Sequence, residues 1–200
     1  MIKETYRNIM DIVFANFIWI MVSFLGILLT LGGATTALFS VIFQVFKTNE
    51  PTSVMKTFKK SFLKNFWFST LVYICLVVLG ASTYLMVSTA INQQLDVLLV
   101  LGIIASYEII IFTCYFFPTL AIFKTNKNIE LIKNVIILSN YHLWTNIKLL
   151  GTIVIVAYLI IAIHPIFIVV AVGLYAFLVA FHLRPIFKPY IEKLDEEGNH

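Results

Sequence analysis

Apolar stretches long enough for helices alternate with short breaks along the whole chain. Ile12–Leu31 rises about 30 Å as a helix, enough to cross the hydrocarbon core of a bilayer. Gly32-Gly33 interrupts it. The next apolar stretch, Ala34–Phe46, measures only roughly 20 Å, short of a full crossing. It is expected either to return as half of a helical hairpin or to re-enter without spanning. Phe66–Ile91 and Val97–Phe123 are each long enough to span with tilt, joined by the polar turn Asn92–Asp96. Leu149–Ile163 and Ile166–Leu183 flank His164-Pro165. As one helix they would run about 52 Å, too long for a bilayer, and Pro165 disfavours helix before it. The pattern predicts an all-α polytopic membrane protein with about six transmembrane or half-membrane helices in three hairpins.

The breaks differ in charge. Lys3 and Arg7 precede the first stretch, and Lys47, Lys56, Lys59, Lys60 and Lys64 fill the second basic segment. Lys124, Lys127, Lys133 and Lys148 fill the third, and Arg184, Lys188 and Lys193 close the chain. The breaks between them, at Leu31–Gly33, Asn92–Asp96 and His164-Pro165, carry no Lys or Arg. Cytoplasmic loops hold the Lys/Arg excess, so the expected protein lies in the cell membrane with both termini cytoplasmic. In Pro51–Phe66, Val54, Phe58, Phe62 and Phe66 recur every four residues opposite Lys56, Lys59, Lys60 and Lys64. This predicts an interfacial amphipathic helix, with Pro51 in its first turn and Thr52 or Ser53 as cap. Ile129–Trp144 is a second, less charged one, with Ile132, Val135, Ile136, Leu138 and Leu143 apolar. Trp67 and Trp144 end the two segments as belt residues.

Composition narrows the function classes. The 200 residues are 60% hydrophobic and 12% charged, with mean hydropathy +0.96, outside the range of soluble domains. Spans and short connections use nearly all of the chain, so residues 1–193 read as one integral membrane domain and 194–200 as a disordered acidic tail. The net charge of +4 gathers on one face. It implies topology and attraction to membrane lipid headgroups, not nucleic-acid binding. The first apolar run exceeds the ~7–15 residues of a signal h-region, so a removable signal is not expected. Cys75 and Cys114 lie within apolar stretches without C-x-x-C spacing and read as reduced core residues.

Few residues carry candidate chemistry. Glu108 stands about 17 Å into its helix, near the bilayer midplane, where an ionised carboxylate costs at least ~2.5–3.5 kcal/mol. It reads either as a proton relay or polar anchor inside the bundle, or as a protonated side chain bonded to Ser106, Thr113, a Tyr hydroxyl or a backbone carbonyl. Pro118 leaves the Cys114 carbonyl without its helical donor and is expected to kink the helix, for gating or for packing. Gly102/Ser106 and Ala176/Ala180 are small-xxx-small pairs suited to close helix approach. His142, His164, His182 and His200 have no metal-ligand spacing. There is no nucleophile elbow, P-loop, dinucleotide fingerprint or H-E-x-x-H. Neither an enzyme nor a cofactor site is expected.

The segment Thr30-Leu31-Gly32-Gly33-Ala34-Thr35-Thr36-Ala37-Leu38-Phe39, after Asn16 and Trp19, resembles the N-terminal signature of the YesL family. So do Phe58–Phe66 and Phe117-Pro118-Thr119-Leu120-Ala121. The family comprises uncharacterised integral membrane proteins of Gram-positive bacteria. The resemblance implies a similar topology and genes that accompany carbohydrate-uptake ABC transporters and polysaccharide-degrading enzymes; it implies no catalytic or binding residues. Beside it, Thr30, Gly32, Gly33, Thr35 and Thr36 form a candidate broken-helix turn. Either they line a cavity, since irregular backbone facing lipid is not tolerated, or the Thr hydroxyls satisfy the turn's own backbone. Three functions are then in view. One is an accessory subunit for a sugar ABC permease or a sensor. The second is a small autonomous transporter or channel built on Glu108 and the Gly32-Gly33 break. The third is a lipid-organising protein using Lys56, Lys59, Lys60 and Lys64. An ordinary ABC permease is not expected, because its coupling segment resembles E-A-A followed by Gly and neither linker here contains Gly.

Overall fold

A computed structural model describes residues 2–26, 29–47, 53–123, 128–162 and 168–197, and side chains throughout these except at 2, 25, 168, 169 and 191–197. The described residues form seven helices and no strand: α1 Ile2–Leu25, α2 Leu31–Lys47, α3 Val54–Gln93, α4 Asp96–Ile122, α5 Asn128–Tyr141, α6 Leu143–Ala162 and α7 Ile168–Glu197. Five of them, α1, α3, α4, α6 and α7, are long and apolar enough to cross a membrane; α2 is shorter. The all-α, multi-pass expectation holds. His164-Pro165, Pro51, Thr52, Lys124, Lys127 and His200 lie outside the described residues. α7 continues through Leu194–Glu197, within the stretch expected to be a disordered tail.

Three local expectations change. Pro51–Phe66 does not form a separate interfacial helix: from Val54 it is the first part of α3, a continuous helix of 40 residues and about 60 Å. No Gly or Pro occurs between Val54 and Leu79, so nothing breaks the helix where the Lys-rich face gives way to the apolar span. Its Lys56, Lys59, Lys60 and Lys64 are exposed as expected, and Val54 and Phe58 are buried. Ser53 occupies the N-cap position without a side-chain cap bond. Secondly, Gly32-Gly33 is not a break. Both residues lie in the first turn of α2, and the turn itself falls earlier, at Gly26 and Leu29-Thr30. Thirdly, α5 buries Leu131, Val135 and Ser139, whereas Ile136 and Leu143 are exposed. The α3–α4 turn tightens to Gln94-Leu95. Gln94 takes the left-handed conformation at φ 55°, and the Gln94 and Leu95 amides donate to the Ile91 and Ala90 carbonyls, a Schellman-type end.

The short helix α2 is the most enclosed. It packs against α1, α3, α4 and α7, and its buried residues run from Gly32 to Val45. Its seam with α3 has one antiparallel register. Thr57 Oγ1 donates to Gln44 Oε1 at 2.5 Å, and Ser40 Oγ meets Ser61 Oγ at 2.6 Å. Gly32 lies against the Ser69 carbonyl, and Gly33 against Phe62 and Phe66. Gly32, Thr36, Ser40 and Gln44 recur every four residues on α2; Thr57, Ser61, Asn65 and Ser69 do so on α3. Small and hydrogen-bonding residues at helical spacing let two backbones approach closely.

The core gathers around this seam: Leu38, Phe39 and Ile42 of α2, Tyr115 and Phe116 of α4, Leu149 of α6, and Leu183 and Phe187 of α7. The far part of the α3–α4 hairpin is outside it. Between Val77 and Ile110 only Ala90 and Gly102 are buried. Cys114 Sγ and Tyr175 Oη are 3.3 Å apart, which fixes a common height on α4 and α7. From there α4 runs back to Asp96, about 27 Å, and α7 to Ile168, about 10 Å. The α3–α4 hairpin therefore stands roughly 16 Å past the start of α7. A Cβ at Gly32 would meet the Ser69 backbone, which cannot swing aside, whereas one at Gly80 meets nothing within 4 Å. Gly32→Ala is expected to destabilise the protein by about 1–3 kcal/mol, the usual cost of overpacking, and Gly80→Ala to leave stability equal or higher; thermal unfolding of the detergent-solubilised protein checks both.

Candidate functional site

Three threonines stand at the start of α2, and two of their hydroxyls are spent on local backbone. Thr30 Oγ1 donates to the Val22 carbonyl at 2.8 Å, across the α1–α2 turn, and Thr36 Oγ1 to the Gly32 carbonyl at 3.1 Å. Both bonds satisfy groups that a helix end leaves open or strengthen its first turn. Thr35 does something different. Its hydroxyl accepts from Trp19 Nε1 at 3.1 Å, tying α1 to α2, and it also lines a cavity of about 290 Å³ between α2, α3, α4 and α7. Tyr73, Thr113 and Tyr175 bring the other polar groups to that cavity, and Leu31, Phe39, Leu76 and Phe117 give it apolar walls. Of the five turn candidates, Thr35 alone reaches the cavity; Gly32 and Gly33 serve the close contact with α3.

Glu108 is not in this cavity. It sits on the exposed side of α4, twelve residues after Asp96 and about 18 Å along the helix. It is on a stripe with Val97, Leu101 and Ile104, which are 76%, 54% and 53% exposed. Among the described residues no hydrogen bond or ion pair reaches its carboxylate. The expectation of a Glu108 inside the bundle, bonded to Ser106 or Thr113, is corrected: Ser106 Oγ donates to the Gly102 carbonyl and Thr113 Oγ1 to the Ile109 carbonyl. The reason is rotational, since α4 turns Gly102 toward Val87 of α3 and so sends Glu108 outward. Pro118 lies in the fully packed part of α4 and is buried. It belongs to the core and not to the Glu108 face.

The basic residues come together from distant parts of the sequence. Arg184 Nη2 donates to the Phe46 carbonyl at 3.4 Å and stacks over the Phe46 ring at 5.4 Å, which brings Arg184 beside Lys47. The Gln44–Thr57 bond places Lys56, Lys59 and Lys60 at the same end of the seam. Lys148 lies 6.0 Å from the exposed Trp144 ring. Cys75 is exposed and Cys114 buried, so only the latter is a core residue. No group of three metal-ligating side chains occurs among the described residues.

One buried polar junction has no counterpart in the sequence expectations. Asn146 of α6 donates through Nδ2 to the Ser139 carbonyl at 2.7 Å and to Tyr107 Oη at 3.2 Å. It thereby ties α6 to both α4 and α5. An Asn one turn into an apolar helix was the available signal. Asn146→Leu removes both bonds and takes from the buried Ser139 carbonyl its side-chain donor. It is expected to cost about 1–3 kcal/mol, seen as a lowered unfolding midpoint in a denaturing-detergent titration.

The part of the chain that holds the α2–α3 seam is also the part with a counterpart elsewhere. Residues 12–87 match the family described as "Protein of unknown function, DUF624". The match takes in most of α1, all of α2 and α3 as far as Val87, and stops before Glu108, Pro118 and Asn146. No curated protein and no solved structure gives a match.

Proposed function

We propose that the protein is an accessory membrane subunit that docks on a partner's transmembrane helices through the protruding α3–α4 hairpin. The observation that supports this most directly is the outward carboxylate. Ionisable side chains within spans almost always face a bundle interior or a water-filled cavity, yet Glu108 faces away from both in the single chain. A helix from another membrane protein, with a hydroxyl, amide or basic group at that depth, would restore the ordinary arrangement. The stripe Val97–Leu101–Ile104 beside Glu108 offers it a continuous apolar bed. The partner we favour is the permease of a carbohydrate ABC uptake system. Support for that choice comes from the YesL-like motifs at Thr30–Phe39, Phe58–Phe66 and Phe117–Ala121, whose family has such genes as neighbours; a sensor protein is the other partner in view. In this reading the protein is multi-pass in the cell membrane, with both termini cytoplasmic, needs no cofactor and is not an enzyme.

A photo-crosslinking side chain at Ile104, introduced in the native host, is expected to capture the permease, and one at Ile147, exposed on α6, is not. Glu108→Gln keeps the fold and weakens the Ile104 crosslink at least about fivefold, in line with loss of a charge-assisted hydrogen bond. Equal capture from both positions, or no effect of Glu108→Gln, sinks the proposal. A second reading, a small transporter or channel, draws support from the open pocket at Thr35, Thr113 and Tyr175. Capture of only a second copy at Ile104 would favour it, because a pair of chains would then enclose Glu108. For orientation, single cysteines at Lys59 and Gln93 on a background lacking Cys75 and Cys114 separate the two sides. Gln93→Cys is expected to label in intact cells, and Lys59→Cys only after permeabilisation.

A further inference from the structure

A groove of about 430 Å³ lies between the early part of α3, the end of α4 and the start of α5. It is graded along its length. Along α3 the lining passes from Lys64 and Asn65 to Phe68 and Leu71; Asn128 adds a polar group, and Trp67, Leu120 and Phe123 complete the apolar walls. Lys64 and Leu71 are seven residues apart, about 10 Å along α3, which is the scale over which a phospholipid passes from phosphate to acyl chain. Three features define the polar end. Lys64 is an exposed cation. Asn128 is the first residue of the 14-residue helix α5, so the positive end of that helix points to the same place. The groove lining contains no carboxylate among the described residues; Glu130, in the first turn of α5, is not part of it. The apolar end is firm: Phe68 packs edge-on against Phe116 at 5.7 Å, and Leu120 is buried. Trp67, 83% exposed, flanks the groove at the level where indoles sit among headgroups.

We propose that this groove seats one anionic phospholipid, with its phosphate at Lys64, Asn65 and Asn128 and an acyl chain along Phe68, Leu71 and Leu120. Neither half suffices alone. A lone lysine holds a diffuse layer of anionic lipid, and an apolar groove takes any acyl chain; the graded pair selects a lipid by charge and fixes its position. The seat differs from the general attraction of the Lys-rich face, because Lys59 lies on the same helix outside the groove. It is also independent of the partner assigned to the Glu108 face.

The test is native mass spectrometry of the full chain released from micelles doped with phosphatidylglycerol or with phosphatidylcholine of the same chains. One phosphatidylglycerol is expected to stay bound and phosphatidylcholine to be lost. Lys64→Gln lowers the lipid-bound fraction about fivefold, the effect of one basic residue near the surface, and Lys59→Gln leaves it unchanged. Millimolar glycerol phosphate leaves the bound lipid in place. Equal retention of the two lipids, equal loss in the two variants, no loss in Lys64→Gln, or displacement by glycerol phosphate each overturns the seat.

Discussion

The antiparallel seam between α2 and α3 is the constraint on which the rest of the bundle depends. Within a membrane, burying apolar side chains gains little, because lipid tails are as apolar as Leu; close packing and hydrogen bonds between helices must hold the bundle instead. The seam supplies both. Gly32 removes the side chain where α2 meets the Ser69 backbone, and Ser40–Ser61 and Gln44–Thr57 pin the register further along. A slip of one residue would break both hydrogen-bonded pairs. Once α2 is fixed on α3, its opposite faces become the surface on which α1, α4 and α7 pack.

This arrangement accounts for the uneven distribution of burial. A helix of 17 residues, shorter than a span, is packed on several sides at one end of the bundle, and the core forms at that end. Among the described residues, the far part of the α3–α4 hairpin buries only Ala90 and Gly102. Gly102 closes that local contact against Met86 and Val87 and, by setting the rotation of α4, turns Glu108 outward. The same helix is thus a core element around Cys114–Leu120 and an open face around Val97–Glu108. Inner packing and outer exposure go with one difference, that between the short helix α2 and the long hairpin α3–α4.

The polar groups follow a consistent division. Those near the α1–α2 turn mainly satisfy local backbone, as with Thr30 on Val22 and Thr36 on Gly32. Others cross between helices, among them Trp19–Thr35, Ser40–Ser61, Gln44–Thr57, Cys114–Tyr175 and Asn146–Tyr107. Each joins a different pair of elements or a different level of the same seam. Against that background a mid-helix carboxylate without an internal partner among the described residues, and a lysine at the head of a partly apolar groove, stand out.

By itself the sequence determined the helical, multi-pass character of the protein, because apolar length and the spacing of breaks depend only on local composition and the fixed rise of a helix. It also determined which side of α3 would be charged, since Val54, Phe58 and Phe62 recur at helical spacing opposite the lysines. The four-residue recurrence of small and polar residues from Gly32 to Gln44 and from Thr57 to Ser69 was equally present, but it acquires meaning only when two helices are laid together. The tertiary structure alone decided the rest. Gly32-Gly33 reads as a break from composition, yet it is helical because the adjacent α3 backbone leaves no room for a side chain there. The lysine-rich segment reads as a separate helix on the membrane surface; the lack of Gly or Pro between Val54 and Leu79 lets it continue into the span, and α2 covers its apolar face. Glu108 reads as interior from its depth, but depth is a coordinate along the helix and facing is a rotation about it. That rotation goes with the packing of Gly102 on α3; the Gly102/Ser106 spacing marked a close-approach face, and the structure shows which helix meets it.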